Sequence, residues 1–295
     1  MFGANRVIRS KTMRALWLTA CLAPFALGAA GDINQAQKLY NITDFQGSLK
    51  VLLQMPQKDG EAYELIGRNY FMTGDFKRAT EFLQKAVDAE PGSSSHALWL
   101  GRAYGRRAET SGMLTAAGHA SKARRNFEKA VALDPRNLEA LNDLFEYYLE
   151  APGFLGGGYD KASRMAEKIA SVDSVEGHWA QAKLAEKRKE YGNAEENLRR
   201  AAELAPQQVG RVLDLARFLA GQGRYQESDQ SFLRAEKIAP NSPKVMFAKA
   251  DTYIRHKRNL EEARNLLQRY LNAHLTPDDP PRSEAERLLK QASGS

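Results

Sequence analysis

The sequence contains a single cysteine in 295 residues, so it can form no intrachain disulfide and no cysteine-based zinc site. It also lacks a series of apolar runs of roughly 20 residues, the length that a membrane-spanning helix needs. Hydrophobic residues make up 43% of the chain and charged residues 27%, which is typical of globular proteins. These features exclude a disulfide scaffold and a multi-span membrane protein. The length of the chain fits either two ordinary domains or one elongated array.

Recognisable catalytic motifs are missing as well. The five histidines are scattered, and none is followed by a histidine or cysteine three or four residues later. The sequence has no H-E-x-x-H, G-x-S-x-G or G-x-x-x-x-G-K-[ST] pattern, which would indicate a zinc site, a serine nucleophile or a phosphate-binding loop. We therefore predict that the protein is not an enzyme and that it has no catalytic residue, no metal site and no cofactor.

The first 30 residues have the composition of an export signal. Four basic residues and no acid are followed by a short apolar run at 15–27 and by Gly-Ala-Ala at 28–30. We predict a signal peptide over residues 1–30 with cleavage after Ala30, whether the chain starts at Met1 or at Met13. The mature protein would then be periplasmic or secreted.

The cysteine allows a second interpretation of the same segment. Leu18-Thr19-Ala20-Cys21 resembles a lipobox, so lipidation at Cys21 would instead give a membrane-anchored lipoprotein. Without lipidation we expect no contact with a membrane.

The signal segment also carries much of the positive charge. The whole chain has a net charge of +7, and without residues 1–30 it has 39 basic against 36 acidic residues, a net charge of +3. A strongly basic domain would indicate nucleic-acid binding. Because most of the excess belongs to the targeting segment, we predict no nucleic-acid partner.

Small residues and prolines recur along the rest of the chain at a fixed spacing. A small residue is followed seven positions later by alanine and five positions after that by proline. The four copies are Ala79-Ala86-Pro91, Ala123-Ala130-Pro135, Ala194-Ala201-Pro206 and Ser228-Ala235-Pro240. Weaker anchors at Ser48, Ala162 and Ala263 complete a series whose members lie 31 to 44 residues apart. A period of this size predicts repeated helical hairpins.

One stretch resembles the tetratricopeptide repeat closely. It reads Tyr63-x-x-Ile66-Gly67-x-x-Tyr70, then Gly74-Asp75-Phe76, Ala79, Ala86 and Pro91. The repeat of this family is a pair of antiparallel helices with a period of about 34 residues. Gly67 and Ala79 are then the small residues that let the two helices approach, and Pro91 ends the second helix.

The resemblance implies an all-α fold, a right-handed tetratricopeptide solenoid of about seven helical hairpins with a C-terminal capping helix. We predict the array over residues 31–275. Its units lie near 31–59, 60–93, 94–137, 138–174, 175–208, 209–242 and 243–275. Residues 276–295 are predicted to form the capping helix and tail, because a terminal repeat needs a polar outer face.

Two units are longer than the repeat. The third has ten extra residues in 107–118, and the fourth has five extra residues in 150–158. We expect both to form loops on one face of the solenoid, where repeat proteins often bind. The candidate loop site is Phe154, Leu155, Gly156, Gly157 and Gly158. We expect the glycines to form a turn with positive φ rather than a phosphate cradle, and the two apolar residues to tuck under a neighbouring helix rather than face a partner.

The resemblance also implies a concave groove lined by the first helix of each unit. The predicted groove residues are Arg68, Arg102, Arg106, Trp179, Lys183, Lys187, Arg217, Phe247 and Arg255. Cations outnumber acids there, and aromatic residues with arginines around them are typical of binding hot spots. We therefore expect another protein or an extended peptide, of acidic character, to bind the groove. The alternative for Trp179 is packing between adjacent units.

The stretch 101–178 resembles a group of exported bacterial tetratricopeptide proteins of mostly unassigned function. The predicted function is therefore a scaffold for protein–protein or protein–peptide interaction in the periplasm or cell envelope. The glycine-rich loop is also similar to one in the periplasmic T-component of some TRAP transporters. The alternative is accordingly a periplasmic small-ligand or transport accessory protein, with a pocket formed by the insert loops.

Overall fold

The computed structural model describes residues 24–294, so residues 1–23, with Cys21 and most of the predicted signal, lie outside the described part. Over 24–294 the chain forms helices and no strand. The helices are α1 (Pro24–Asn41), α2 (Phe45–Gln54), α3 (Gly60–Met72), α4 (Phe76–Ala89), α5 (Ser94–Thr110), α6 (Met113–Leu133), α7 (Leu138–Glu150), α8 (Tyr159–Val172), α9 (Ser174–Lys187), α10 (Tyr191–Leu204), α11 (Val209–Gly221), α12 (Tyr225–Ile238), α13 (Pro243–Arg255), α14 (Leu260–Leu271) and α15 (Arg282–Ser293). None of these helices is long and apolar enough to cross a bilayer.

Consecutive helices pair into hairpins, from α1 with α2 to α13 with α14. The first helices of neighbouring hairpins also touch, so that α1, α3, α5, α7 and α9 follow one another in a layer, as do α11, α13 and α15. Helix α15 packs against α13 and α14, where the first helix of a further unit would lie. The predicted all-α repeat solenoid of seven hairpins with a terminal helix is confirmed.

Small residues allow the two helices of a hairpin to touch. A Cβ atom added to Gly67 of α3 would lie 2.4 Å from Cγ of Leu83 and 3.3 Å from the carbonyl oxygen of Ala79 on α4. In the next hairpin, a Cβ atom on Gly101 would lie 2.6 Å from the Phe127 ring. These distances are shorter than van der Waals contact, so both positions require glycine.

Asparagine, aspartate and serine residues begin many of the helices. The side chain of Asp59 accepts a hydrogen bond from the amide of Ala62 at the start of α3, and Asp75 accepts one from the amide of Arg78 in α4. Ser93, Asn137 and Asp173 cap α5, α7 and α9 in the same way. These caps supply partners for amide groups that the helix itself leaves free.

The ten extra residues of the third unit lengthen its helices. Helix α5 runs to Thr110 and α6 begins at Met113, so residues 111 and 112 make the whole connection. The two helices have 17 and 21 residues, against 13 and 14 in the preceding hairpin. The prediction of a loop over 107–118 was wrong, because alanines at 108, 116, 117 and 120 favour helix and only Ser111-Gly112 interrupts it.

We predict opposite effects for two glycine substitutions in α5. Gly101→Ala should lower the free energy of unfolding by about 1–3 kcal/mol, because the new methyl group collides with the buried Phe127 ring. Gly105→Ala, whose Cβ atom would meet nothing within 4 Å, should raise it by about 0.5–1 kcal/mol through helix propensity. Denaturant unfolding measures both, and a Gly101→Ala protein as stable as the parent would contradict the close-packing argument.

Candidate functional site

All nine predicted groove residues lie on the first helices of their hairpins. They are Arg68 on α3, Arg102 and Arg106 on α5, Trp179, Lys183 and Lys187 on α9, Arg217 on α11, and Phe247 and Arg255 on α13. Their surroundings differ from those expected, since neighbouring helices supply partners for most of them.

A stack of cations and aromatic rings joins the first three hairpins. The Arg68 guanidinium carbon lies 4.9 Å from the centre of the Tyr40 ring on α1 and 4.5 Å from the centre of the Trp99 ring on α5. Arg102 lies 4.8 Å from the same Trp99 ring. The Trp99 ring therefore makes cation–π contacts with two guanidinium groups. It was not among the predicted residues, although its position three residues before Arg102 on the same helix could have indicated it.

The contacts continue from Arg102 into the fourth hairpin. Its Nε lies 2.6 Å from Oδ2 of Asp143, and its Nη1 lies 3.0 Å from Oε2 of Glu139, both on α7. Burial raises the pKa of Asp143, even though the nearby guanidinium acts in the opposite direction. Arg102 thus serves as a bridge between two hairpins in a poorly solvated part of the concave face.

Each of the seven predicted groove cations faces a carboxylate oxygen at 3.6 Å or less. The pairs are Arg68–Glu64, Arg102–Asp143, Arg106–Glu109, Lys183–Glu186, Lys187–Glu150, Arg217–Asp214 and Arg255–Asp251. Exposed pairs of this kind add little stability, but they cancel charge locally. The excess of positive charge that led to the expectation of an acidic partner is largely neutralised within the protein.

The two predicted aromatic anchors are packed against other rings. Trp179 is 8% exposed and meets Phe145 of α7 edge to face, with ring centres 5.7 Å apart. Arg211 of α11 covers the other side, 5.4 Å from the Trp179 ring centre. Phe247 is partly buried against Tyr270, 5.3 Å away. Trp179 therefore packs between adjacent units, which was the alternative to the predicted role in the groove. It is not an exposed anchor for a partner.

The loop of the fourth unit presents an aromatic ring to solvent. Phe154 lies in a short 3₁₀ turn, Gly153–Leu155, and is 85% exposed, whereas Leu155 is half-buried. The expectation that both residues tuck under a helix was therefore wrong for Phe154. Phe154 is the middle residue of the turn, whereas the backbone of Leu155 is hydrogen-bonded to Tyr147 of α7.

Hydrogen bonds hold this loop against α7 and α8. The Tyr147 hydroxyl donates to the carbonyl oxygen of Leu155 at 3.0 Å, and Nζ of Lys161 donates to that of Gly156 at 2.8 Å. The amide of Gly158 donates to the carbonyl oxygen of Tyr148, also at 2.8 Å. These bonds join the second half of the loop to α7 and α8, so they fix the backbone that follows Phe154.

The three glycines of the loop are each required by its geometry. Gly156 has a φ of 89° and Gly158 a φ of 144°, values that favour glycine. A Cβ atom on Gly157 would lie 1.8 Å from the carbonyl oxygen of Ala151. The glycines therefore form the expected turn. Over residues 24–294, no group of three or more histidine, cysteine, aspartate or glutamate side chains could hold a metal ion.

A buried acid–base pair lies between the second and third hairpins. Nδ1 of His96 on α5 is 2.6 Å from Oε2 of Glu64 on α3, and the Ser95 hydroxyl donates to the same oxygen at 2.8 Å. Burial lowers the pKa of His96, but the hydrogen bond and charge of Glu64 outweigh it, so the pKa is raised. Burial raises the pKa of Glu64, but the bonds from His96 and Ser95 outweigh it, so that pKa is lowered. Both shifts favour the ion pair.

Comparisons with known proteins agree with this architecture. Family models of the tetratricopeptide repeat match residues 60–93 and 213–280. No curated protein matches the chain. Among solved structures, a tetratricopeptide repeat protein from Parabacteroides merdae is 13% identical with a TM-score of 0.59, over 90% of this chain and 99% of that one. A thermophilic tetratricopeptide protein from Thermus thermophilus is 20% identical with a TM-score of 0.52, over 68% and 98%. The sequence resemblance to this family is confirmed, and the structural likenesses show the fold.

We predict that Trp179 supports the fold. Trp179→Ala should lower the free energy of unfolding by about 3–5 kcal/mol, because it empties a buried site between three hairpins. Arg217→Glu, at an exposed position on α11, should change it by about 0.5 kcal/mol or less. Denaturant unfolding compares the two, and a fully stable Trp179→Ala protein would show that the ring is free to serve as an anchor.

We also predict a pH-dependent stability from His96. Its folded pKa is raised above the unfolded value of about 6.5, so its contribution is complete below about pH 6.5 and is lost as pH rises through the folded pKa. Unfolding experiments from below pH 6.5 to above the folded pKa should show this loss of stability in the parent protein. The His96→Gln protein should not show it. His274→Gln, which changes an exposed histidine, is the control. The same pH profile in His96→Gln would contradict the assignment.

Proposed function

Because the chain is a tetratricopeptide repeat protein, we propose that it is a non-enzymatic scaffold that binds another protein, with Phe154 as the main anchor. The exposure of Phe154 on a hydrogen-bonded loop carries this proposal. Aromatic residues are typical hot spots of protein interfaces. A side chain on a backbone that is already ordered also loses less entropy when a partner binds.

The concave face supplies the second contact surface in this proposal. Its cations are already paired with carboxylates, so a partner that enters the groove is recognised by shape and hydrogen bonds more than by net negative charge. An extended peptide suits such a surface, because each unit offers paired polar groups at a regular spacing. The acidic character expected from the sequence is not part of the proposal.

We also propose that the protein acts after export, in the periplasm or outside the cell. The basic, apolar and small-residue segments of 1–30 support this location. Lipidation at Cys21 is the alternative, and it would hold the same array at a membrane surface.

The small-ligand alternative has less support. A cavity of about 550 Å³ lies beside the third unit, lined by Arg107, Thr110 and Ser111 together with residues 73–78. Its lining does not include the fourth-unit loop, so the two insertions do not enclose this space together. The binding of a protein through the loop would explain why Phe154 is exposed. The binding of a small ligand in this cavity would not explain it.

The proposal is tested by photocrosslinking in intact cells. A photoreactive residue replaces Gly153, where a side chain would meet nothing within 4 Å, so that Phe154 stays in place. Phe154→Ala should reduce capture of the partner by about tenfold or more. Leu114→Ala should leave capture unchanged, because Leu114 is fully exposed at the start of α6 and the hydrogen bonds of the loop are made to α7 and α8.

Both substitutions remove an exposed side chain, so the free energy of unfolding should stay the same within about 0.5 kcal/mol. Equal capture by the parent and the Phe154→Ala protein would remove the loop from the proposal. Failure of the probe at position 153 to capture any protein, with the array correctly exported and folded, would contradict a scaffold function that acts through this loop.

A further inference from the structure

The last segment of the array lies beside its first hairpins. A cavity of about 230 Å³ is lined on one side by Phe45 of α2 and Met72 of α3, and on the other by Leu275, Pro280 and Arg282. These residues come from opposite ends of the described chain. Seven hairpins therefore curve far enough to bring residues 275–282 back to the start of the array.

Each side of this cavity is well ordered. The Tyr270 hydroxyl donates to the carbonyl oxygen of Pro280, and Arg282 donates to the carbonyl oxygens of Leu271 and Ala273. On the opposite side, the Phe45 ring packs against Tyr40 with ring centres 5.5 Å apart. The cavity thus separates two preformed surfaces.

A long-range charge interaction links the last helix to the third hairpin. Glu284 lies in the first turn of α15, and Arg106 lies near the end of α5. The hydrogen bond from Arg287 lowers the pKa of Glu284 most, and the charges of Arg255 and Arg106 lower it further. Arg106 belongs to the third hairpin and also pairs with Glu109, so its attraction for Glu284 of the last helix is weak and acts at long range.

We propose that this meeting of the two ends is a reversible latch, which closes the array into a ring and opens to admit a partner to the concave face. The geometry favours a latch over a permanent interface, because a cavity remains between the two ends and the charged side chains near it are partly exposed. A solenoid also amplifies small motions, since each unit contacts only its neighbours and small changes of angle add up over seven hairpins. The latch does not depend on Phe154 or on the identity of the partner.

Distances between two spin labels test the latch in the full array. With Cys21 removed or replaced, labels at Gln46 and Ser283, both exposed, report on the two ends. We expect one short, narrow distance at low ionic strength. At about 1 M salt, where the Debye length is about 3 Å, a longer population should appear. Labels at Glu203 and Lys237, exposed on adjacent hairpins, should give the same distance in both conditions.

Charge reversal gives a second, independent test. Arg106→Glu should increase the open population at low ionic strength, because it replaces the attraction for Glu284 with repulsion. Arg217→Glu is the matched control, since both arginines are about half exposed, lie on first helices and pair with an acid three residues away. A long, broad distance in the parent protein at low salt would show that the ends do not meet. One short distance in every condition and variant would show a permanent joint, and either result would overturn the proposal.

Discussion

The array depends on the close approach of the two helices of a hairpin, which a glycine of the first helix allows in the second and third hairpins. A side chain at Gly67 would collide with Leu83, and one at Gly101 would collide with Phe127. Because the helices touch at these points, the large apolar residues around them are buried and the angle between the helices is set. That angle determines how the next unit stacks, so the curvature of the array follows from a contact that recurs along it.

The curvature contributes to the pairing of charges in the groove, which is therefore not an open basic surface. First helices of adjacent units converge on the concave side, and their long side chains reach one another. Arg102 of α5 meets Asp143 of α7, and Lys187 of α9 meets Glu150 of α7. These two cations are neutralised by a neighbouring helix, whereas the other five predicted groove cations pair with an acid three or four residues away on their own helix. Recognition in such a groove therefore depends on charge pairs and on shape, and a count of its cations alone overstates its attraction for an acidic partner.

The hairpins could be predicted because the residues that define them lie close together in the chain. The spacing of Ala79, Ala86 and Pro91 reflects contacts within a single unit. Exposure could not be predicted in the same way, because it depends on neighbouring units. Trp179 is covered by Phe145 from the unit before and Arg211 from the unit after. The helical continuation through 107–110 was missed for a different reason, since the period shows the length of an insertion and not its conformation.

Packing alone does not explain the loop that carries Phe154. A phenylalanine left in water forgoes about 1.5–3 kcal/mol of burial free energy. The glycines at 156–158 add a further cost, because they increase the conformational entropy lost on folding. Tyr147 and Lys161 nevertheless hold the loop in one conformation. A binding surface benefits from this combination, since the entropy of ordering the loop is lost during folding and is not subtracted from the free energy of binding.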